Sequence, residues 1–452
     1  MARLFGTDGV RGMVNRDLTP ELAMQLGLAA GFLFKKGYEN PAVVIGRDPR
    51  RSGQMLEGAL MSGFCAAGVD VYLAGVIPTP GVAYLAKNMD TCAGVMISAS
   101  HNPAPDNGIK FFNHQGFKLD DQLEDDIEEM ILHSLEKTRR PVGAETGKVT
   151  DYQEGAQRYV RFLKESAGGD LAGITLVLDC ANGAASAVAP RVFRELGAQV
   201  VSIHDCPDGL NINDRCGSTH LESLKAEVVK YQADLGLALD GDADRLLAVD
   251  ARGETVDGDQ IMAILALELE KSGLLGGQMV ATVMSNLGLR EAMREAGIFL
   301  HETKVGDRYV LEKMIEEKAV LGGEQSGHII YLRENTTGDG IFTALTLLKA
   351  LRGTGCSLET LAGRMRKYPQ VLVNVRVDSD VDWETSGVIR EAVRQTEKIL
   401  ENRGRLLVRA SGTEPLVRVM AEGPDRDELR ELAGGLAEVI RAELSQNSDK
   451  AQ

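Results

Sequence analysis

Short apolar runs that stop abruptly in polar, turn-forming loops recur along this chain, and they restrict its fold more than any other feature. Ala42–Ile45 runs into Gly46-Arg47-Asp48-Pro49, and Ile174–Leu178 into Asp179-Cys180-Ala181-Asn182-Gly183. Leu235–Leu239 runs into Asp240-Gly241-Asp242-Ala243-Asp244-Arg245, and Met279–Val283 into Met284-Ser285-Asn286. Runs this short, with helical patterns between them, read as buried strands alternating with helices: α/β layers with largely parallel sheets. A chain of 452 residues exceeds what one core sustains at ~100–150 residues per domain. Lapses in periodicity divide it at 1–149, 150–252, 253–367 and 368–446. Thr138–Thr150 is polar, holds Pro141, Gly143 and Gly147, and reads as a linker. Asp250–Gly258 is a second polar passage. Tyr368-Pro369 leads into Val371–Val377, which alternates like a half-exposed strand. Pro424-Asp425 opens a helix with Leu429, Leu432, Leu436, Val439 and Ile440 on its core face. The polar tail from Ser445 reads as frayed.

A formal net charge of −16 argues against nucleic acid or an anionic membrane as partner, since both demand a basic footprint. A small anion remains compatible, because a few arginines can reverse the field inside a cleft. The first residues have no apolar segment like that of a signal peptide, and no run approaches the ~18–20 apolar residues that span a bilayer. The cysteines, Cys65, Cys92, Cys180, Cys206, Cys216 and Cys356, show no CxxC pairing. They read as reduced thiols of a cytoplasmic protein.

Four loops carry candidate chemistry. In the first, Val95-Met96-Ile97 delivers Ser98-Ala99-Ser100-His101-Asn102-Pro103 to the carboxyl end of a strand, where open α/β sheets bind ligands. Pro105, Asp106, Asn107 and Gly108 read as a turn leading to Lys110. In the second, Asp240, Asp242 and Asp244 stand on alternate residues and would repel one another without a cation. Arg245 and Ala251 stand where an EF-hand needs Gly and Glu, so that reading fails. Oxygen-only ligands favour Mg²⁺ over zinc. A hydroxyl able to carry a phosphoryl group, beside such a site, points to phosphoryl transfer. The third loop, Gly322-Gly323-Glu324-Gln325-Ser326-Gly327-His328, presents groups able to hydrogen-bond sugar hydroxyls. The fourth, Arg409-Ala410-Ser411-Gly412-Thr413-Glu414-Pro415, with Arg418, has the makings of an anion nest. No GxxxxGK[ST] motif accompanies it, which counts against a Walker-type kinase.

These loops, in this order, with Phe5-Gly6-Thr7-Asp8-Gly9-Val10-Arg11-Gly12 at the start, resemble the α-D-phosphohexomutase family over essentially the whole chain. Gln325 and the segment Cys216-Gly217-Ser218-Thr219-His220 resemble its amino-sugar branch. The resemblance implies three related α/β domains with mixed sheets plus a smaller C-terminal α+β domain, TATA-binding-protein-like, around a central cleft. It implies interconversion of glucosamine 6-phosphate and glucosamine 1-phosphate through a phosphoserine at Ser100 and a hexosamine bisphosphate, with one Mg²⁺ per subunit on Ser100, Asp240, Asp242 and Asp244. Arg11 and Arg245 would balance the phosphoserine's charge, and Lys110, His101 and His328 are candidates for proton transfer. Glu324 and Ser326 would hold the sugar, while Arg409, Ser411, Gly412, Thr413 and Arg418 take the phosphate and Arg308 joins the substrate-binding set. The partner implied is a phosphorylated amino sugar; monomer and homodimer both stay open. Three alternatives stand beside this reading. One is a phosphomannomutase or phosphoglucomutase of the same family, and another is a phosphosugar-binding regulator without turnover. The third, a magnesium-dependent phosphatase, is disfavoured because Asp240-Gly241-Asp242-Ala243 lacks the hydroxyl or β-branched residue expected to complete a DxDx[TV] motif.

Overall fold

The structure, a computed structural model, describes residues 3–6, 8–376, 386–401, 403–410 and 416–450. The chain forms two units: one runs to Met284 and resumes over Gly297–Arg364, and the other takes Ser285–Ala296 and the chain from Met365.

The first unit holds three sheets. The six-stranded one has the order Val10–Met13, Asp106–Asn113, Ala93–Ile97, Ala42–Arg47, Asp70–Val76, Val149–Asp151. Its last four strands are parallel, and its first two run antiparallel to their neighbours. The helices Pro20–Phe34 and Gly53–Ala67 pack closely against each other because Gly27 and Gly63 face across their contact. A Cβ on Gly27 would lie 2.5 Å from the Leu60 carbonyl oxygen. That approach buries Leu26, Leu60 and Phe64 completely, each contributing roughly 1.5–3 kcal/mol. Thr19 starts the first of these helices by accepting from the Leu22 N–H, with Pro20 behind it.

The second sheet runs Thr255–Val256, Leu246–Asp250, Leu235–Leu239, Thr175–Asp179, Gln199–Ile203, and the third Phe299–Thr303, Gln278–Thr282, Leu321–Gly323, Ile329–Tyr331. Each combines parallel central strands with antiparallel additions. The sheets are therefore mixed rather than largely parallel. The second unit carries an antiparallel sheet, Gln370–Arg376, Leu416–Glu422, Arg405–Ala410, packed with the helices Gly387–Leu400 and Arg426–Lys450. Leu429, Leu436 and Ile440 enter its core.

Three local expectations change. Asp106–Gly108 is not a turn but the start of a strand, because pairing with Arg11–Met13 captures its backbone. The end of the supposed linker, Val149–Asp151, becomes the sixth strand of the first sheet by pairing with Val71–Leu73. The polar tail continues as helix to Lys450, because extending a helix already packed on a core needs no new nucleus. Val377 lies outside the described residues. All six cysteines are free thiols, and no helix among the described residues is long and apolar enough to cross a membrane.

Candidate active site

Ser100 lies just beyond the strand Ala93–Ile97 with φ of +53°. A serine rarely adopts this left-handed conformation, so its surroundings must hold it there. They do so through a fully buried arginine. The Arg50 guanidinium gives its N–H groups to the Asp48 carboxylate and to the carbonyls of Ser100, Asn102, Pro103 and Asp106. Asp48 also accepts from the Ser98 hydroxyl at 2.6 Å, and Ser98 Oγ accepts the Ser100 N–H. From the loop that follows the strand Gln199–Ile203, Asn213 Nδ2 donates to the carbonyls of Ser100 and Asn102 at 2.9 and 3.0 Å.

The aspartate loop meets this turn directly. Ser100 Oγ donates to Asp240 Oδ2 at 2.6 Å. Gly241 permits the approach: a Cβ there would sit 2.6 Å from the Ser100 carbonyl oxygen. Ala243, with φ of +58°, folds the loop back so that the Ala243 N–H reaches the Asp240 carbonyl. The three carboxylates then each offer an oxygen within 4.8 Å of the others. Asp242 Oδ1 and Asp244 Oδ1 are buried with no hydrogen-bond partner among the described residues. Burial first, then Asp244 and Asp242, pushes the Asp240 carboxyl well above the usual range. Buried, convergent, all-oxygen and acidic, the set fits a hard divalent cation, which would relieve that repulsion.

Lys110 Nζ lies 2.8 Å from Asp242, 3.2 Å from Asp8 and 3.5 Å from Asp244. Burial works against its charge, but these carboxylates raise its pKa, so it stays an ammonium. His101 Nδ1 is 3.4 Å from Ser100 Oγ. Burial, then Arg245 and Arg11, lowers its pKa to about 4, leaving a neutral ring. His328 accepts the Gly338 N–H on Nε2 and turns Nδ1 toward Asp244 at 3.6 Å. Burial opposes its charge and Asp244 favours it, for a net rise. Its Nε2 also lies 3.7 Å from Asp307, and Lys118 binds both Asp307 and Asp8. Asp8, Lys110, Asp244, His328, Asp307 and Lys118 thus close a ring of buried and half-buried polar groups. Arg11 pairs with Asp8. Arg245 sits beside Asp244 and donates its backbone N–H to Asp240 Oδ1.

Of the other sequence candidates, Glu324 accepts the Gly306 N–H at 3.1 Å, and Ser326 is exposed. Arg308 is drawn elsewhere, to Asp121 at 2.8 Å, Glu124 at 3.2 Å and the Leu119 carbonyl. In the second unit Arg409 and Arg418 face each other across neighbouring strands. Burial, then Arg418, lowers the Arg409 pKa; two like charges opposed on a sheet favour an anion between them. Ser411, Gly412 and Thr413 lie outside the described residues. Sequence reasoning missed Asp8, Asp48, Arg50, Lys118, Asn213, Asp307 and Thr79, whose hydroxyl donates to Asp242 at 2.6 Å. The available signals were Asp8 within the segment Phe5–Gly12, and Arg47-Asp48-Pro49-Arg50, charged residues in a loop at the end of a buried strand.

Four domain profiles of one family match in series: phosphoglucomutase/phosphomannomutase alpha/beta/alpha domain I over residues 2–138, domain II over 152–253, domain III over 257–368 and the C-terminal domain over 372–439. The chain belongs to the phosphoglucomutase/phosphomannomutase family. Within it, the chain is 55% identical over 442 residues to a phosphoglucosamine mutase of Pelotomaculum thermopropionicum, covering 98% of this chain and 99% of that one. The phosphoglucosamine mutase of Bacillus subtilis is 52% identical over 445 residues, with 98% and 99% covered. A phosphoglucomutase/phosphomannomutase family protein of Burkholderia thailandensis superposes with a TM-score of 0.82 at 25% identity, covering 97% of each chain. The chain is thus an enzyme of this family with a carboxylate triad able to hold a metal ion.

Proposed function

We propose that the protein interconverts glucosamine 6-phosphate and glucosamine 1-phosphate, with Ser100 carrying the phosphoryl group between turnovers. The observation that carries this reading is the contact of a conformationally strained Ser100 with the buried aspartate triad, 2.6 Å from Asp240. Its amino-sugar specificity is supported by the similarity to phosphoglucosamine mutases over nearly the full length. Phosphoryl transfer depends mainly on positioning and charge neutralisation, and those are what this site supplies. Asp240, Asp242, Asp244 and the Ser100 oxygen would hold Mg²⁺, which would neutralise charge on the transferring group when bound.

The protein's own groups do the rest. Arg50 and Asn213 fix the serine turn. Lys110, Arg11 and Arg245 place cations around the phosphoserine. His101, next to the serine hydroxyl, has the position to exchange a proton with an attacking sugar oxygen. Phosphorylated Ser100 passes its phosphoryl group to the free hydroxyl of the monophosphate, the bond to Ser100 Oγ breaking as the sugar O–P bond forms and the sugar hydroxyl gives up its proton; the resulting bisphosphate turns over and returns its other phosphoryl group to Ser100. Glu324 and Ser326 take sugar hydroxyls, and Arg409, Arg418 and their loop take the phosphate that is not reacting.

The deciding experiment compares phosphorylated protein on glucosamine 6-phosphate, glucose 6-phosphate and mannose 6-phosphate under identical conditions. Preferred turnover of the glucosamine ester is expected. Ser100→Ala should fold normally, lose nearly all turnover, and lack the single labile phosphate that intact-mass analysis finds on the parent. Near-normal turnover by that variant would overturn the assignment. Equal turnover of all three sugars would leave a phosphohexomutase without amino-sugar preference.

A further inference from the structure

We propose that Asp179, His204 and Cys216 form a second cation site, distinct from the aspartate triad and suited to a borderline divalent ion of the zinc class. Asp179 ends the strand Thr175–Asp179, and His204 follows the parallel neighbour Gln199–Ile203, with Asp179 opposite Ile203 in register. Cys216 closes the loop that returns from His204 to the turn Gly217–Thr219. One donor atom from each of the three lies within 4.8 Å of the other two. Carboxylate, imidazole and thiol together make a mixed oxygen, nitrogen and sulfur set, the combination that zinc accepts and magnesium does not.

The details around these donors are those of ligands held in place. The Asp179 carboxylate is fully buried and oriented by two backbone donors, the Ala181 N–H on Oδ1 and the Gly217 N–H on Oδ2, each at 2.9 Å. Such outer contacts are what fix first-shell carboxylates at metal sites. His204 Nδ1 lies 3.0 Å from Asp179 Oδ2. That contact is an ion pair in its own right, and its spacing is also that of neighbouring ligands on one ion. Cys216 is fully buried. On binding, its thiol would give up its proton to solvent and become the thiolate ligand. The half-exposed imidazole gives the ion its route in.

The site would act as a staple. The loop it closes carries Asn213, whose side chain donates to the carbonyls of Ser100 and Asn102. An ion bridging Asp179, His204 and Cys216 would stiffen the support of the serine turn without touching the reacting atoms.

The test uses the full chain, stripped by chelator and then titrated with Co²⁺ in excess Mg²⁺, which occupies the all-oxygen triad. One equivalent of Co²⁺ should produce a near-ultraviolet thiolate-to-cobalt charge-transfer band that Zn²⁺ abolishes. Cys216→Ser and His204→Gln should each lose the band, and Cys206→Ser, altering the exposed thiol nearby, should keep it. His204 is half-exposed, so its variant tests the site even if the Cys216 variant fails to fold. No band in the parent protein shows a buried carboxylate–histidine pair only, and overturns the proposal. So does a band that survives His204→Gln, or one that vanishes with Cys206→Ser.

Discussion

Arg50 shows how one side chain can set the geometry of a reacting group it does not touch. Its N–H donors end on Asp48 and on four carbonyls of the serine turn, which is more than the ammonium of lysine could satisfy. Removing it leaves Asp48 buried and uncompensated, so Arg50→Met should destabilise the protein by about 3–5 kcal/mol. Arg50→Lys, which keeps the charge, should restore part of that stability while turnover remains low. If Arg50→Lys turns over normally, the carbonyl contacts are not needed for catalysis. Asp339 gives a prediction of a different kind. It caps the helix Gly340–Thr354 by accepting the Phe342 N–H, takes the Tyr159 hydroxyl at 2.9 Å, and is pushed up to about 6 by burial. A carboxyl raised in the folded state contributes stability that is fully present below its unfolded pKa, near 4, and is lost as pH rises through about 6. The loss is on the order of 3 kcal/mol. Asp339→Asn keeps an acceptor for the cap and carries no charge. Its denaturation midpoint relative to the parent should therefore rise between pH 4 and 7. A difference that stays flat over this range would show that the carboxyl is not raised.

At the level of elements, the site is a meeting of loops rather than a property of any one. The serine turn is held from one side by the loop after Ala42–Arg47 and from the other by Asn213, and it meets the aspartate loop at Gly241. Gly241→Ala places a methyl 2.6 Å from the Ser100 carbonyl and 2.8 Å from Asn213 Nδ2. Both neighbours are fixed, so the loops must part. The expected result is a large fall in kcat with KM little changed and the fold retained. Metal affinity should fall as well, because Ser100 and Asp240 can no longer share an ion. Unchanged kcat with a lowered melting temperature would assign Gly241 a packing role alone. How legible these loops were follows from the same view. The strands Ala93–Ile97 and Leu235–Leu239 are legible from the apolar runs Val95–Ile97 and Leu235–Leu239. Asp106–Gly108 looked like a turn because Asp, Asn and Gly favour turns locally, and only the pairing partner Arg11–Met13 made it a strand.

For the molecule as a whole, the proposed function would have Glu324 and Ser326 serve the sugar and the cross-strand pair Arg409 and Arg418 the phosphate. Arg418→Ala should weaken glucosamine 6-phosphate, glucose 6-phosphate and inorganic phosphate by a similar factor. A lost charge-assisted contact of roughly 1.5–3 kcal/mol corresponds to about ten- to a hundred-fold. Glu324→Ala should leave inorganic phosphate unaffected and narrow the gap between the two sugars. Calorimetric titration of both variants decides it, and a change of sugar preference in Arg418→Ala alone would reverse the assignment.

The sequence by itself determined the class of fold, the family and the residue types suited to the chemistry. Strand burial requires apolar runs, a cation site requires carboxylates, and a phosphoryl carrier requires a hydroxyl, and each of these is a local property written in residue type. Tertiary structure alone decided what those residues do to one another. Arg50 clamping a turn fifty residues away, Lys110 seated among Asp8, Asp242 and Asp244, and Arg308 drawn off to Asp121 and Glu124 are contacts between distant segments. Such contacts leave no periodic or compositional trace along the chain, because they are satisfied by position in space rather than by spacing in sequence.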